Sequence, residues 1–280
     1  MPRPKMDRMD KTHFDEETCH KLLREQLAPL YGWPTEGSQL DPRLVFYLRL
    51  VHRAGMLEKD RDLLDLGAGL SAFGPVARGL GMRVTVVDDF GGGGGVEPDT
   101  TIKARRIIEG WKNQLGIRVI EQDLVGNPLP LEKESVDVVT CFHSLEHWHH
   151  SPKGLFGEIV RVLRPRGVLI LAAPNAANLR KRIYVCAGRN IFHCLEEWYH
   201  DPIFRGHVRE PTVSDLHQIL RWNDFEIVGT YGRNFIAKNS QALAFLPPKL
   251  INIMAAGSEL VLRFFPTLCS DIHVIGRKRL

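Results

Sequence analysis

Short apolar runs alternate with stretches of helical spacing along most of the chain. The runs have the length and the β-branched content of buried strands. They lie at residues 62–66, 83–87, 117–121, 136–142 and 167–173. The segments between them have the helical periodicity of elements that pack on a sheet. Strands that alternate with helices predict right-handed crossovers and a parallel sheet.

Helical spacing also precedes this pattern, over Phe14 to Leu30 and Pro42 to Ala54. We expect these helices to form an N-terminal cap over residues 1–56. Near the other end, Thr212 to Trp222 predicts a helix with Thr212 at its N-cap. Final strands are expected at Phe225 to Arg233 and Asp271 to Arg277, and one of them should run antiparallel.

The predicted domain organisation follows from these elements. A ligand-binding core covers residues 57–175, and the irregular segment 176–211 forms a lid over it. Residues 212–280 complete the sheet and contain an insertion at 236–268. The resulting fold class is α/β, with a doubly wound, mostly parallel sheet.

Acidic residues end three successive predicted strands. Asp65 precedes a Gly67-Ala68-Gly69 turn whose glycines let the backbone approach a ligand, and Ser71 can cap the next helix. Asp88 ends the second strand, where a carboxylate can accept hydrogen bonds from both ribose hydroxyls. Asp123 follows the third strand and can accept from an adenine amino group. This pattern predicts a nucleoside-containing cofactor.

Two cofactors compete for this site. Gly67-x-Gly69-x-x-Ala72 also satisfies the loose dinucleotide fingerprint, so an NAD(P)-dependent oxidoreductase is an alternative. Asp65, however, would repel a pyrophosphate, whereas it suits the cationic amino-acid end of S-adenosylmethionine. We therefore expect S-adenosylmethionine.

The candidate chemistry follows the fourth strand, where side chains face the cofactor crevice. Glu146 and His147 lie there, and His147 is the candidate general base because imidazole titrates near neutrality. His207, in the lid, is the second candidate. Structural roles for both histidines are the alternatives. His143-x-x-Glu146-His147 matches an inverted zinc-protease signature, but that signature requires a helix, and here the motif follows a strand.

Five segments in order resemble the motifs of class I S-adenosylmethionine-dependent methyltransferases, closest to the type 11 group. They are DLLDLGAGLSAFG, VTVVDD, IEQDL, SVDVVTCFHSLEHW and EIVRVLRPRGVLILAAPN, and they span Arg61 to Asn175. A weaker likeness continues through Gly206-His207-Val208-Arg209-Glu210. This resemblance implies a Rossmann-like sheet of seven strands with an inserted acceptor lid.

The resemblance also implies roles for individual residues. Gly67, Ala68 and Gly69 would line the methionine end of the cofactor, Asp88 the ribose, and Asp123 with Leu124 the adenine; His143 is included among the cofactor-binding residues. Ubiquinone-type relatives carry a glutamate where this chain has His143, and some hold a divalent metal there. Because of this departure, no resident metal is expected.

The acceptor is predicted less closely than the cofactor. The segment Phe142-His143-Ser144-Leu145 lacks the Asn/Asp-Pro-Pro-aromatic motif of enzymes that methylate nucleobase amines. We expect O-methylation of a small molecule, a sugar or a lipid-linked glycan, with N-methylation of a small amine as the alternative. Selectivity should reside in residues 176–211 and 236–268.

Composition adds limits on compartment and partners. The net charge of +4 with scattered basic residues gives no reason to expect nucleic acid binding. Five cysteines without a CxxC pair, and an N-terminus without an apolar signal region, favour a reducing, cytoplasmic location. An apolar stripe at 249–265 is too short to span a bilayer. We expect it to pack on the sheet, with a weak membrane-surface contact as the alternative.

Overall fold

The computed structural model describes residues 16–32, 41–91, 98–192, 194–202, 204–234, 257, 262 and 264–280. Most of the predicted insertion at 236–268, and with it most of the apolar stripe at 249–265, therefore lies outside the described residues. Within the described part, no helix is both long enough and apolar enough to cross a membrane.

Seven strands form one mixed sheet, as expected. They are β1 (Asp62–Leu66), β2 (Arg83–Asp88), β3 (Arg118–Glu121), β4 (Val136–Phe142), β5 (Leu163–Pro174), β6 (Phe225–Arg233) and β7 (Asp271–Lys278). Their order is β3-β2-β1-β4-β5-β7-β6. Strands β1 to β5 pair in parallel, and β7 runs antiparallel to both β5 and β6. The fold class is confirmed, including the single reversed strand near the end.

Helices cover both faces of this sheet. They are α1 (Glu16–Leu22), α2 (Ala28–Tyr31), α3 (Pro42–Arg53), α4 (Phe73–Gly79), α5 (Pro98–Asn113), α6 (Lys153–Val162), α7 (Leu179–Cys186), α8 (Leu195–His200) and α9 (Val213–Trp222). Thr212 caps α9 through a reciprocal pair of hydrogen bonds with Asp215, as its position in the sequence predicts.

The first predicted helix is not continuous. Residues Leu23–Leu27 form a π-helical turn between α1 and α2, closed by the bond from the Ala28 N–H to the Leu23 carbonyl. Pro29 follows at once and has no N–H for the α-helical bond to Glu25. Hydrophobic spacing alone did not reveal this change in hydrogen bonding.

Strand β5 begins earlier than the predicted 167–173. Val136 pairs with Leu163 and Val138 with Val168, so extra residues on β5 bulge out between two adjacent pairs. Arg166 has a left-handed backbone at φ 63°, and a side chain on Gly167 would meet the Arg164 carbonyl at 2.8 Å. A glycine is therefore required where the chain returns to the sheet.

Two apolar cores lie on opposite faces of the sheet. Alternate residues of β1 divide between them, with Leu63 in one core and Leu64 and Leu66 in the other. The N-terminal helices pack in the first core around the fully buried Trp111, whose indole N–H donates to the Tyr31 hydroxyl. The helical cap thus covers one face and leaves the carboxyl edge of the sheet available.

Candidate functional site

A cavity of about 640 Å³ lies at the carboxyl ends of β1 to β4. The strand order reverses between β1 and β4, and ligands of doubly wound sheets bind at this switch point. The volume is within the range of small-ligand sites. The described lining comprises Gly67, Gly69, Asp88, Asp89, Asp123, Leu124, Val125, His143, Ser144, His147, Trp148, His149, His150, Phe204 and Arg205.

Asp88 ties the glycine turn to the end of β2. One of its carboxylate oxygens accepts the Gly69 N–H at 2.8 Å, and the other accepts the Phe90 N–H at 2.6 Å. Burial raises the pKa of Asp88, while these two backbone donors act in the opposite direction. Each oxygen retains a further lone pair, so the carboxylate can still accept from a ribose.

Gly67 brings the glycine turn against the loop after β4. Its φ is +65°, and a Cβ there would lie 2.0 Å from the Ser144 hydroxyl oxygen. That hydroxyl in turn accepts the Trp148 indole N–H at 3.0 Å. Only glycine fits this position, and its small volume keeps one wall of the cavity open.

Two residues assigned to the cofactor lie away from the cavity lining. The Asp65 carboxylate is buried and accepts a hydrogen bond from the Thr140 hydroxyl, on the neighbouring strand β4, at 2.7 Å. Its pKa rises to about 7, first because of burial and also because of the nearby Asp88 charge. Ala68 packs against the core beside the N-terminal helices. A cofactor contact for these two residues stays a prediction.

Asp123 and Leu124 both line the cavity where β3 ends. Asp123 accepts the Val125 N–H at 2.9 Å, which closes a tight turn, and its side chain is exposed. Leu124 is buried and belongs to the core on the α6 side. The pair combines a polar acceptor with an apolar surface, as an adenine ring requires.

Glu146 lies in the single 3₁₀ turn Leu145–His147 directly after β4. Its side chain is only 1% exposed, and its Oε2 has no hydrogen-bond partner among the described residues. Its backbone carbonyl accepts the N–H groups of both Val208 and Arg209. These bonds attach the segment 176–211 to the loop after β4.

The rings of His147, on the loop after β4, and of His207, in the lid, contact each other. Their rings lie 5.0 Å apart between centroids and are nearly perpendicular. The Nδ1 of His147 lies 3.1 Å from the Arg205 carbonyl, which can only accept, so Nδ1 carries the proton. The Nε2 of a neutral His147 then carries the lone pair. The structure therefore brings together the two candidate bases.

A charged array orients His207. Its Nδ1 lies 2.8 Å from Glu210, and Glu210 also pairs with Lys181. The Glu210 hydrogen bond raises the pKa of His207, with a further contribution from the Glu146 charge. Burial opposes the ionisation of Glu210, but its partners His207 and Lys181 hold its pKa below the usual range. His207 therefore retains a proton above its ordinary pKa of 6.5.

His143 lines the cavity between two carboxylates. Its ring nitrogens lie 3.5 Å from Glu146 and 3.5 Å from Asp271, which begins β7. Its backbone has φ 52°, so the chain turns sharply where β4 ends. The sequence did not reveal Asp271 as a neighbour of this loop, because the two are joined only through the β5–β7 pairing.

Glu146, His147 and His207 together form a cluster that has the composition of a cation site. Glu146, His147 and His207 each offer one ligand atom, and these atoms lie within 4.8 Å of one another. Two imidazoles and a carboxylate suit several divalent transition metals. The absence of a glutamate at position 143 had suggested that no metal is held. His207 supplies instead a possible ligand from the lid.

Several lining residues were missed by the sequence analysis. Ser144 and Trp148 carry no motif of their own, although they lie on the loop after β4 where the chemistry was expected. Phe204 and Arg205, in contrast, lie in the segment 176–211 that was expected to select the acceptor. His149 and His150 were given no role, yet both line the cavity. Arg205 also donates to the Gly91 carbonyl, which joins the lid to the loop after β2.

Comparisons with known proteins agree with this geometry. A family model described as a methyltransferase domain matches residues 40–230, more than half of the chain. A protein of Mycolicibacterium smegmatis, described as a probable S-adenosylmethionine-dependent methyltransferase, is 29% identical over 214 residues. The match covers 75% of this chain and 67% of that protein.

Solved structures share the fold at low sequence identity. The YcgJ protein from Bacillus subtilis superposes with a TM-score of 0.53 at 16% identity, covering 84% of this chain and 99% of that one. Phosphoethanolamine N-methyltransferase 2 of Haemonchus contortus, in complex with S-adenosyl-L-methionine, gives 0.53 at 15% identity, covering 94% and 60%. The family model that matches residues 40–230 shows that this chain belongs to the S-adenosylmethionine-dependent methyltransferases.

Proposed function

We propose that this methyltransferase O-methylates a small molecule, a sugar or a lipid-linked glycan, with His147 as the general base. The observation that carries the proposal is the pairing of His147 with His207 in the cavity. His147 has the tautomer that a base requires, because its Nδ1 is held on the Arg205 carbonyl. His207 is held beside it by Glu210.

The cofactor site fits S-adenosylmethionine. Gly67 leaves open the space that a side chain at this position would fill against Ser144. Asp88 and Asp123 present carboxylates at the ends of β2 and β3. We expect Asp88 to hold the ribose, Asp123 and Leu124 the adenine, and Gly67 and Gly69 the methionine end. When bound, this cofactor supplies an electrophilic methyl group on a sulfonium.

The chain's own residues then position the acceptor and move its proton. In this proposal His147 Nε2 would accept the proton of the acceptor hydroxyl as that oxygen takes the methyl group from the sulfonium, whose S–CH3 bond would break to leave a neutral thioether. The raised pKa of His207 favours its protonated, positively charged form, which is not a proton acceptor. Its positive charge instead favours the developing negative charge on the acceptor oxygen.

The lining also favours a hydroxyl over a cationic amine as the acceptor. The loop after β4 and the lid contribute His143, Ser144, Trp148, Phe204 and Arg205 to the cavity, along with three further histidines. Among the described residues of these two segments that line the cavity, none is aspartate or glutamate. These two segments would offer an ammonium acceptor no lining carboxylate, because the lining acids Asp88, Asp89 and Asp123 follow β2 and β3, whereas a hydroxyl can hydrogen-bond to imidazole.

An acceptor screen with radiolabelled S-adenosylmethionine tests the proposal. On an accepted substrate, His147→Ala should lower kcat by at least about 100-fold and leave cofactor affinity within a few-fold. His149→Ala is the matched control, since it removes a neighbouring exposed histidine from the same lining. The wild-type rate should fall as the pH is lowered, and the His147 variant should lose that dependence.

Two outcomes would overturn the assignment. If His147→Ala retains near-normal turnover while His207→Ala loses it, the base is in the lid. If neither variant is impaired, no base is needed and the acceptor is an amine. The similar fold of a phosphoethanolamine N-methyltransferase makes that second outcome chemically accessible.

A second role for the cluster is favoured by its geometry. We propose as the alternative that Glu146, His147 and His207 hold a divalent cation, because their ligand atoms lie within 4.8 Å. The cation would bind the acceptor oxygen and lower the pKa of its hydroxyl. Mn²⁺ binding measured by electron paramagnetic resonance, in wild type and Glu146→Gln, separates this role from proton transfer. Wild-type protein that binds no Mn²⁺ and retains activity in EDTA would exclude it.

A further inference from the structure

The lid carries an unusual concentration of exposed apolar side chains. Of the fourteen large hydrophobic residues that are most exposed among the described residues, seven lie between 179 and 199. Neither α7 nor α8 buries a single residue. Helices of soluble proteins normally bury one face, whereas the apolar side chains of α7 and α8 are not covered by any of the described residues.

Helix α7 contributes aliphatic side chains. Leu179, Ile183 and Val185 are 40%, 58% and 56% exposed. Farther along the lid, Phe192 and Leu195 are 86% and 63% exposed, and the aromatic pair Trp198 and Tyr199 is 63% and 72% exposed. Aliphatic and aromatic groups together favour hydrocarbon, and Trp and Tyr favour the boundary between lipid and water.

Positive charge accompanies these apolar groups. On or beside α7 the exposed Arg180, Arg182 and Arg189 are basic, and the chain has no Asp or Glu from Ile159 to Leu195. Lys181 pairs with Glu210, and α8 carries the acidic Glu196 and Glu197. Two of these arginines, Arg180 and Arg189, lie over the Tyr184 ring. Basic and apolar groups on one short segment match the surface of a membrane that contains anionic lipid.

A second exposed apolar pair adjoins this segment. Phe264 and Phe265 are each 54% exposed, and they precede Thr267, whose carbonyl accepts from the Arg182 guanidinium at 3.1 Å. These phenylalanines end the apolar stripe at 249–265. Two segments far apart in sequence therefore present apolar side chains next to each other.

We propose that the lid surface, formed by α7, α8 and the residues between them, docks on anionic lipid bilayers. Phe264 and Phe265 extend this surface. The segment after α8 lines the cavity with Phe204 and Arg205, so docking would bring the cavity entrance close to the lipid headgroups. Docking needs no methyl transfer, and the proposal therefore stands or falls separately from the acceptor chemistry.

Flotation with vesicles tests the proposal directly. We expect the full chain to bind vesicles of phosphatidylcholine with 30% phosphatidylglycerol (roughly the anionic content that attracts basic segments), and to bind less at high salt. Ile183→Ser with Trp198→Ser should reduce binding at least tenfold. Trp222→Ser is the matched control, because Trp222 is 74% exposed on α9, outside the lid.

A second pair of variants tests how much the positive charge of the lid contributes to vesicle binding. Arg180→Gln with Arg189→Gln should weaken binding by about fivefold for each arginine on anionic vesicles. Arg105→Gln with Arg106→Gln changes exposed arginines on α5 and should have no effect. All the substituted side chains are exposed, and binding of S-adenosylhomocysteine in calorimetry verifies that each variant is folded.

Three results would overturn the proposal. Wild-type protein that fails to float with the vesicles that contain phosphatidylglycerol would exclude docking. Equal binding by the lid variants and the Trp222 control would place any membrane contact elsewhere. If the lid variants instead abolish a dimer seen by sedimentation, or binding to a single-stranded RNA, without any vesicle binding, the surface serves a second copy or a nucleic acid.

Discussion

Replacing Asp65 with asparagine should change how the stability of this enzyme depends on pH. The carboxyl group is buried, and the Thr140 hydroxyl donates to it; burial is the main cause of its raised pKa. Asparagine has nearly the same shape and keeps an oxygen that can accept from Thr140. The substitution therefore removes the ionisation with little change in packing.

The size of the effect follows from the pKa. A rise from 3.8 to about 7 corresponds to about 4 kcal/mol at 1.36 kcal/mol per pKa unit. The folded chain holds this proton more tightly than the unfolded chain does. The contribution of Asp65 to the free energy of unfolding therefore falls as pH rises from about 4 to about 7. Between pH 4.5 and 7.5 the difference is about 3 kcal/mol.

Urea unfolding of the protein without cofactor measures this difference. As pH is raised from 4.5 to 7.5, we expect the free energy of unfolding of Asp65→Asn to increase by about 3 kcal/mol relative to that of the wild type. This change is expected even if the two proteins differ in stability at pH 4.5. Asp123→Asn, which changes an exposed carboxyl at another strand end, is the control. Parallel pH profiles for wild type and Asp65→Asn would refute the reasoning that burial destabilises the charged form.

Three further predictions concern the cavity and the lid. Asp88→Ala should weaken S-adenosylmethionine binding by about 1.5–3 kcal/mol, or roughly 10- to 150-fold in calorimetry. Asp89→Ala should change it little, since Asp89 is exposed, and the reverse ranking would mean that Asp89 holds the ribose. Gly67→Ala should lower both stability and cofactor affinity, because the added Cβ displaces Ser144. Gly188→Ala is the control, since Gly188 has a similar φ but open space around it, and in thermal unfolding it should cost only about 1–2 kcal/mol of backbone strain. Equal losses in the two would show that the contact with Ser144 is unimportant. Glu210→Gln should destabilise the protein more near pH 6 than near pH 9, because the raised pKa of His207 contributes stability below about 6.5 that is lost as pH rises through the folded-state value. A pH-independent loss would leave only the Lys181 pair as the cause.

The glycine turn and the acids after β2 and β3 could be predicted because each is a local pattern. Apolar runs locate the strands, and the residue that follows a strand must lie at the carboxyl edge of the sheet. Gly67, Asp88 and Asp123 line the cavity for this reason. Asp65 precedes Gly67 by only two residues, yet its side chain does not line the cavity and instead accepts a hydrogen bond from Thr140 on β4. By the alternation of the strand Asp65 shares the face of Leu63, and the turn that lines the cavity begins only at Gly67.

Contacts between distant segments could not be predicted. The Ser144 hydroxyl approaches Gly67 across 77 positions, and Lys181 meets Glu210 across the lid. The joining of His147 to His207 depends on two N–H groups of the lid that bind the Glu146 carbonyl. None of these pairs has a sequence spacing that a helix or strand would fix. Tertiary packing decides them.

A crystal structure with S-adenosylhomocysteine tests the central claim most directly. The account predicts the ribose hydroxyls within hydrogen-bond distance of the Asp88 carboxylate, with the sulfur on the side of the cavity formed by His147 and His207. A cofactor product bound with its ribose away from Asp88, or with its sulfur directed away from those histidines, would contradict the assignment of both the cofactor site and the base.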